Sequence, residues 1–221
     1  ILAADITIAG TLSVTAGVFH AGTNRAVVGG SVSVGGTGSL NTGSGGVVDA
    51  GSRTVTNAGT IAAAGNGSGA GAVICGDLSS TGIIDTTAAG TISASGDVSI
   101  NGFYGPSGAN GTLAMTGAGR NLNAAIPIGN LTVNPGAGNT VSLSAGLTLA
   151  GGLTISSGTL DALANPVAVA GSWTNSAGAV GFSGTGVVTF NGTGIQTVTS
   201  GGDSFPTVTL SKTAGSVVFA D

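Results

Sequence analysis

Apolar residues recur along this chain in pairs that flank one small residue, and each pair is followed closely by Gly, Asn or Ser. Side chains alternate between the two faces of a β-strand, so such a pair can bury both apolar residues and expose the one between them. The pattern therefore predicts many short strands separated by tight turns. The clearest pairs are Ile6 and Ile8, Leu12 and Val14, Val32 and Val34, Val98 and Ile100, Leu131 and Val133, Val141 and Leu143, Leu147 and Leu149, and Leu153 and Ile155.

The composition argues against helices and against disorder. Gly accounts for 44 of the 221 residues and Glu is absent, whereas helices rely on Leu, Glu, Lys and Arg and lose stability at Gly. Disordered chains combine low hydrophobicity with high charge, but here 41% of residues are apolar and only 5% are charged. We therefore expect an all-β protein.

Charge and cysteine content limit the partners of the chain. Its net charge is -4, and its basic residues, Arg25, Arg53, Arg120 and Lys212, form no stripe that could neutralise phosphates, so we expect no nucleic-acid partner. The sequence contains no run of about 20 apolar residues, so no transmembrane helix is predicted. Cys75 is the only cysteine and is expected to be a buried, inert thiol.

The chain contains two internal repeats, and no linker of different composition interrupts it. Both observations indicate one continuous domain over residues 1–221. Residues 2–31 align without a gap on residues 143–172, with 12 identities in 30 positions. A second match joins residues 131–145 to residues 208–221, and in both segments a strand pattern is followed by a Gly-containing turn and another strand pattern.

Coiling satisfies this pattern better than hairpins, because Asn-Gly and Asp-Gly turn dipeptides do not separate the apolar pairs regularly. In a parallel β-helix, or β-solenoid, each rung contains about three short strands and pairs with the next rung, while inward side chains stack into a core. We therefore expect one parallel β-helix with rungs of about 20 residues. Leu12, Val14, Leu131, Val133, Leu153, Ile155 and Trp173 are expected to share its core.

The second half of the chain resembles a known group of proteins. The segments Asn130-Leu-Thr-Val-Asn, Leu153-Thr-Ile-Ser-Ser-Gly-Thr-Leu-Asp-Ala, Gly171-Ser-Trp-Thr-Asn and Val188-Thr-Phe-Asn-Gly-Thr-Gly-Ile-Gln-Thr-Val resemble repeats of secreted bacterial β-helix surface proteins, the adhesin and filamentous-haemagglutinin-like group. The resemblance is clear over residues 128–221. It implies a right-handed β-helix and a role at the cell surface or in the extracellular matrix, without a catalytic signature.

The candidates for catalysis are few. Asp77, Asp85 and Asp97 could stack on adjacent rungs as paired carboxylates, but Asp is also a common turn residue, and we favour structural roles at corners. His20 is the only histidine and is expected to be exposed in a turn, because a lone imidazole makes a poor metal site. The chain is therefore predicted to be no enzyme and to need neither metal nor cofactor.

One aromatic pair is a candidate binding site. Phe103 and Tyr104 interrupt the repeat in a turn-rich segment and could contact a glycan or a neighbouring chain, although a loop folded over the coil with Phe103 buried is the simpler interpretation. Trp173 aligns with Val32 and is expected to be an enlarged core residue, with its N–H satisfied at a corner.

The favoured function is a non-catalytic subunit of an extracellular filament or cell-surface fibre. The alternative is a surface adhesin or a β-helix that binds or cleaves carbohydrate. Both ends align with the repeat near Val141 to Ala145 and lack a visible cap, so we expect copies of the chain to stack head to tail. A fragment of one longer repetitive polypeptide would give the same continuity, and the absence of Met at position 1 fits either a fragment or a processed product. The expected contacts are Ile1, Leu2, Ile6, Ile8, Val208, Leu210, Val217, Val218 and Phe219.

Overall fold

The fold is a β-solenoid, as expected from the sequence. The computed structural model describes residues 1–63, 70–86, 89–102 and 111–221. Within these ranges every regular element is a β-strand, all the paired strands are parallel, and no helix long and apolar enough to cross a membrane occurs.

The strands of the first half run from β1 to β14, and those of the second half from β15 to β26. In chain order they are β1 Ile6–Ile8, β2 Leu12–His20, β3 Arg25–Val28, β4 Val32–Asn41, β5 Val47–Asp49, β6 Val55–Asn57, β7 Thr60–Ala62, β8 Ala72–Cys75, β9 Leu78–Ser80, β10 Ile83–Asp85, β11 Thr91–Ala94, β12 Val98–Ile100, β13 Thr112–Met115 and β14 Arg120–Ala124. They continue as β15 Asn130–Val133, β16 Thr140–Leu143, β17 Leu147–Leu149, β18 Leu153–Ile155, β19 Thr159–Asp161, β20 Val167–Val169, β21 Trp173–Asn175, β22 Phe182–Ser183, β23 Val187–Phe190, β24 Gln196–Thr199, β25 Thr207–Leu210 and β26 Val217–Phe219.

Sheet 1 runs the whole described length of the coil. Its order is β1-β3-β5-β8-β11-β13-β15-β18-β21-β24-β26, one strand per rung. In the register, Leu113 pairs with Leu131 and Trp173 pairs with Val198, each on the next rung. The segment from Trp173 to Val198 is longer than the segment from Leu113 to Leu131. Rung length therefore varies around the expected value, because the turns differ in length while the strands stay in register.

Each coil passes from sheet 1 to sheet 2 and then to a third face. Sheet 2 contains the first part of β2 and of β4, followed by β6, β9, β12, β14, β16, β19 and β22. The last residues of β4 pair instead with β7, so this long strand bends around a corner onto the third face. In the second half of the chain the third face is sheet 3, in the order β17-β20-β23-β25.

The core is continuous along the coil, because inward residues stack directly on one another. Six of the seven residues predicted to share it are fully or almost fully buried, and Leu12 is half-buried and packs against it. These are Val14, Leu131, Val133, Leu153, Ile155 and Trp173. The core prediction is therefore confirmed.

The two segments of the longer repeat fold alike but lie on different faces. Asn24 Nδ2 donates to the Leu2 carbonyl at 2.8 Å, and Asn165 Nδ2 donates to the Leu143 carbonyl at 2.9 Å. However, β1 belongs to sheet 1, whereas its counterpart β17 belongs to sheet 3. The shorter repeat shows the same shift, from β15 in sheet 1 to β25 in sheet 3. The repeated unit is thus a strand with its turn, not a whole rung.

One turn in the second segment carries backbone strain. Leu163 has φ of 54°, in the left-handed region, although its side chain is 51% exposed. Its counterpart in the first segment is Gly22, with φ of 75°. Only Gly adopts this region without a steric cost from Cβ.

We expect Leu163→Gly to be about 1 kcal/mol more stable to unfolding than Leu163→Ala. Both variants lose the same exposed side chain beyond Cβ, but only Ala keeps the strained Cβ. Urea denaturation of the pair measures the difference. A Gly variant less stable than the Ala variant would show that the turn is not strained.

Candidate assembly surfaces at the two ends

At the C-terminal end, β25 presents core positions that the described part of the chain covers only in part. The register places Val208 on Val188 and Leu210 on Phe190, and both partners are fully buried. Val208 and Leu210 therefore point inward, yet they are 38% and 58% exposed. Among the described strands, β25 pairs with β23 alone, so its other edge is free for a further strand.

The neighbouring edge on sheet 1 is β26, which pairs with β24 alone among the described strands. Val217 and Phe219 lie on Gln196 and Val198, both buried, so they also point inward. Phe219 is nevertheless 53% exposed. Val218 lies between them on the outer side. This end therefore shows two adjacent open edges with uncovered apolar residues.

At the N-terminal end, β1 presents a similar open edge on sheet 1. Ile6 lies on Ala26 and Ile8 on Val28, and both residues of β1 are half-buried. Before β1 the chain forms no strand: Leu2 packs against the core and donates its N–H to the His20 carbonyl at 3.0 Å, while Ile1 is 92% exposed.

Sheet 2 is closed at its C-terminal edge by a side chain. The Phe182 N–H points away from β19 and donates to Asp203 Oδ2 at 2.6 Å, where a further strand would offer a carbonyl. Asn175 Nδ2 donates to the same oxygen at 2.7 Å. Asp203 therefore takes the hydrogen-bonding position of a strand, and the described chain forms no strand on sheet 2 after β22.

The carboxylates at this end respond to pH in opposite directions. Desolvation raises the pKa of Asp203 despite its hydrogen bonds to Phe182 and Asn175, whereas the hydroxyl of Ser200 lowers the pKa of Asp221. Asp203 therefore stabilises the fold fully at pH values below the pKa that it has in the unfolded chain. This stabilisation is lost as the pH rises through the pKa of Asp203 in the folded chain. The Asp221 contribution is present above its unfolded pKa and is lost as pH falls.

Aromatic rings fill the core near this end. Trp173 meets both Phe182 and Phe205 edge to face, with ring centroids 5.0 Å apart in each case. Phe190 contacts Phe205, and Phe219 contacts Phe190 at 6.4 Å. Phe205 follows Asp203 and covers the aromatic core where sheet 2 has no further strand. Sequence reasoning found Trp173 but missed the cluster, because its members come from several different rungs.

A polar network joins three turns at the corner between the third face and sheet 1. Gln196 is buried, and its Nε2 donates to the carbonyls of Val169 at 2.9 Å and Gly171 at 2.7 Å. Its Oε1 accepts the Gly192 N–H at 2.9 Å and the Lys212 ammonium at 2.7 Å. One side chain thus links successive rungs through four hydrogen bonds.

The aspartates considered for catalysis do not form one cluster. Asp77 and Asp97 lie on adjacent rungs, just before β9 and β12, but Asp85 lies on the third face. Asp77 Oδ1 accepts the Asp97 N–H at 2.8 Å, and Asp97 Oδ1 accepts the Asn121 N–H at 2.8 Å. Asp77 and Asp97 therefore each accept a hydrogen bond from the backbone of the next rung, whereas a turn aspartate was expected to bond the backbone of its own turn.

Two expectations about single residues were wrong. His20 is the last residue of β2 and is half-buried, not exposed in a turn, because its ring packs beside the glycines of the next turns. Trp173 is fully buried as expected, but its Nε1 has no hydrogen-bond partner among the described residues. The indole instead packs among Phe182, Phe190 and Phe205, whose rings carry no nitrogen or oxygen acceptor.

Cys75 lies in the core, as expected. It is 1% exposed, and burial raises the pKa of its thiol to about 12. The nearby Asp77 acts in the same direction. Since the thiolate is the reactive form, Cys75 is inert in the folded chain.

The remaining candidate site is not described. Phe103 and Tyr104 lie outside the described residues. Within the described ranges, no three side chains of the types His, Cys, Asp and Glu come close enough to hold a metal ion. The best-defined candidate surfaces are therefore the two ends of the coil.

Comparison with protein-family models, with curated proteins and with solved structures finds no match to this chain.

Proposed function

We propose that the chain is a non-catalytic structural subunit of an extracellular filament or cell-surface fibre, and that copies stack head to tail through their open ends. The observation that carries the proposal is the exposure of inward-facing apolar residues at the C-terminal end. Val208, Leu210 and Phe219 occupy core positions, so a further rung would bury them as Val188, Phe190 and Val198 are buried.

The backbone supports the same role. Each rung pairs with its neighbours through parallel ladders, and open strand edges favour the addition of another strand. A heterologous contact between unlike ends propagates as a filament if it does not close into a ring. Burial of apolar surface at each junction favours the contact by about 25 cal/mol for each Å² removed from water.

The surface role rests on the repeat style and on the side chains. The segments after residue 128 resemble those of secreted β-helix surface proteins. Asp77 and Asp97 serve as hydrogen-bond acceptors between rungs, which supports a structural use of the carboxylates. The partners in this proposal are copies of the chain itself, in the extracellular space or on the cell surface.

We expect Leu210→Lys to raise the concentration needed for assembly at least about tenfold, because the ammonium would be buried at the junction. The folded subunit should remain intact, since Leu210 is already 58% exposed. Sedimentation velocity and electron microscopy measure assembly, and circular dichroism checks the fold.

Ile83→Lys is the matched control, because Ile83 is also exposed but lies on β10, far from both ends along the coil. It should assemble like the unmodified chain. Dissociation of the native filament by denaturant should release short chains of equal mass, because stacked subunits are not joined covalently. A larger covalent mass would instead support one long polypeptide, and a monomer at high concentration would contradict the proposal.

A further inference from the structure

We infer that successive copies are shifted by one face: each copy is rotated about the coil axis relative to the preceding copy. In this shifted arrangement β1 of one copy pairs with β25 of the preceding copy, and Leu12–Val14 pairs with β26. This inference rests on the proposed function, because it specifies the register of the same end-to-end contact. It places Thr7 opposite Thr209 and Ser13 opposite Val218 on the outer surface.

The accepting end offers strands on only two of its three sides. On sheet 2, the outward N–H of Phe182 is already bound by Asp203 at 2.6 Å, and Phe205 lies over the core beside it. On sheets 3 and 1, β25 and β26 have free edges. Beyond β26, the coil would pass sheet 2, then sheet 3 and then sheet 1. The edge of sheet 2 is closed, and the edges of sheets 3 and 1 are open.

The other end presents its elements in the matching order. Residues 1–5 form no strand, then comes β1, and then Leu12–Val14 at the start of β2. The hydrogen bond from Leu2 N to the His20 carbonyl holds residues 1–5 on the side of the coil that precedes β1. A segment without a strand therefore meets the closed side, and two strands meet the two open edges.

In the unshifted arrangement, sheet 1 of one copy continues sheet 1 of the preceding copy, and the two ends match less well. If β1 paired with β26, residues 1–5 would lie over β25 and Leu12–Val14 would lie above Asp203. One strand position on sheet 2 would then stay empty between the copies, because the coil rises by one rung in each turn. The shifted arrangement leaves no position empty and fills none twice.

Units of the same kind already occupy these two sheets within one chain. In the longer repeat, β17 and β18 are the counterparts of β1 and Leu12–Val14, and they lie on sheets 3 and 1. These are the sheets on which the shifted arrangement places β1 and Leu12–Val14 of the incoming copy. It would stack Ile6 on Val208 and Ile8 on Leu210, and it would stack Val14 on Phe219.

Two double-cysteine variants distinguish the registers. Thr7, Thr209 and Val218 are exposed on the outer side of their strands, so cysteines there leave the core unchanged. Paired residues on adjacent strands lie roughly 4.8 Å apart, within the range that a disulfide spans. Cys75 is buried and takes no part. We expect oxidation of assembled Thr7→Cys/Thr209→Cys to give a ladder of covalent multimers on a denaturing gel without reductant.

The matched control is Thr7→Cys/Val218→Cys, which should give few cross-links. A ladder from this control and none from Thr7→Cys/Thr209→Cys would overturn the inferred register while leaving head-to-tail stacking intact. Filaments in which neither pair cross-links would also overturn it. Absence of any assembly, seen by sedimentation before oxidation, would defeat the proposed function itself.

Discussion

Trp173→Ala is expected to lower the free energy of unfolding by about 4 kcal/mol, as for other large aromatic residues removed from a packed core. Trp173 is fully buried and touches Phe182, Phe190 and Phe205. Its loss removes apolar burial and three edge-to-face contacts and leaves a cavity between sheets 1 and 2. Urea denaturation followed by circular dichroism measures the change.

The loss should be local along the coil, because each rung contacts only its neighbours. Hydrogen exchange should accelerate in β18, β21 and β24 and stay slow in β3 and β5. Trp173→Phe is the control: it keeps an aromatic ring, removes the unpaired indole N–H and should cost less than half as much. A Trp173→Ala cost below about 1 kcal/mol would show that the aromatic cluster does not stabilise this end.

Gln196→Ala is expected to cost about 3 kcal/mol, since the Gly171 carbonyl and the Gly192 N–H lose their partner and the Val169 carbonyl keeps only the Asn191 N–H. The carbonyls of Val169 and Gly171 and the N–H of Gly192 all bond the Gln196 amide. Lys212 keeps its bonds to the carbonyls of Gly192 and Gly194. Chemical denaturation gives the cost.

The adjacent Thr197→Ala is the control, because Thr197 faces outward and should change stability by less than about 0.5 kcal/mol. Gln196→Glu adds a second test at equal size. Its carboxylate would face the Val169 and Gly171 carbonyls without a proton to donate, so it should be destabilised at neutral pH and recover partly when acid protonates it. Equal stability of Gln196→Ala and Thr197→Ala would refute the role of the network.

The strands of this protein were predictable because each one is a local pattern. Leu131 and Val133, like the other apolar pairs, alternate with outward residues, and that period alone predicts a strand with one buried face. The coil followed from the absence of hairpin turns. What could not be predicted was the face on which each strand lies, because all three faces bury the same kind of residue.

The closed side of sheet 2 was also beyond sequence reasoning. Asp203 looks like any turn aspartate, and its role depends on where the coil brings the Phe182 N–H from the preceding rung. His20 was misplaced for a similar reason: the glycines that pack beside its ring come from its own turn and from the next rung. Strand alternation does identify Val208, Leu210 and Phe219 as inward residues, whereas Val218, also named from the sequence, lies on the outer side.

The shift of the longer repeat by one face has a consequence for how such a chain can change in evolution. Because a strand with its turn serves equally on any side of the coil, gain or loss of one whole unit would rotate everything that follows and still bury every apolar residue. Loss of a single residue within a strand would instead exchange its inner and outer side chains. Length variation in chains built this way should therefore occur in steps of a third of a rung, with the outer surface rearranged at each step and the interior preserved.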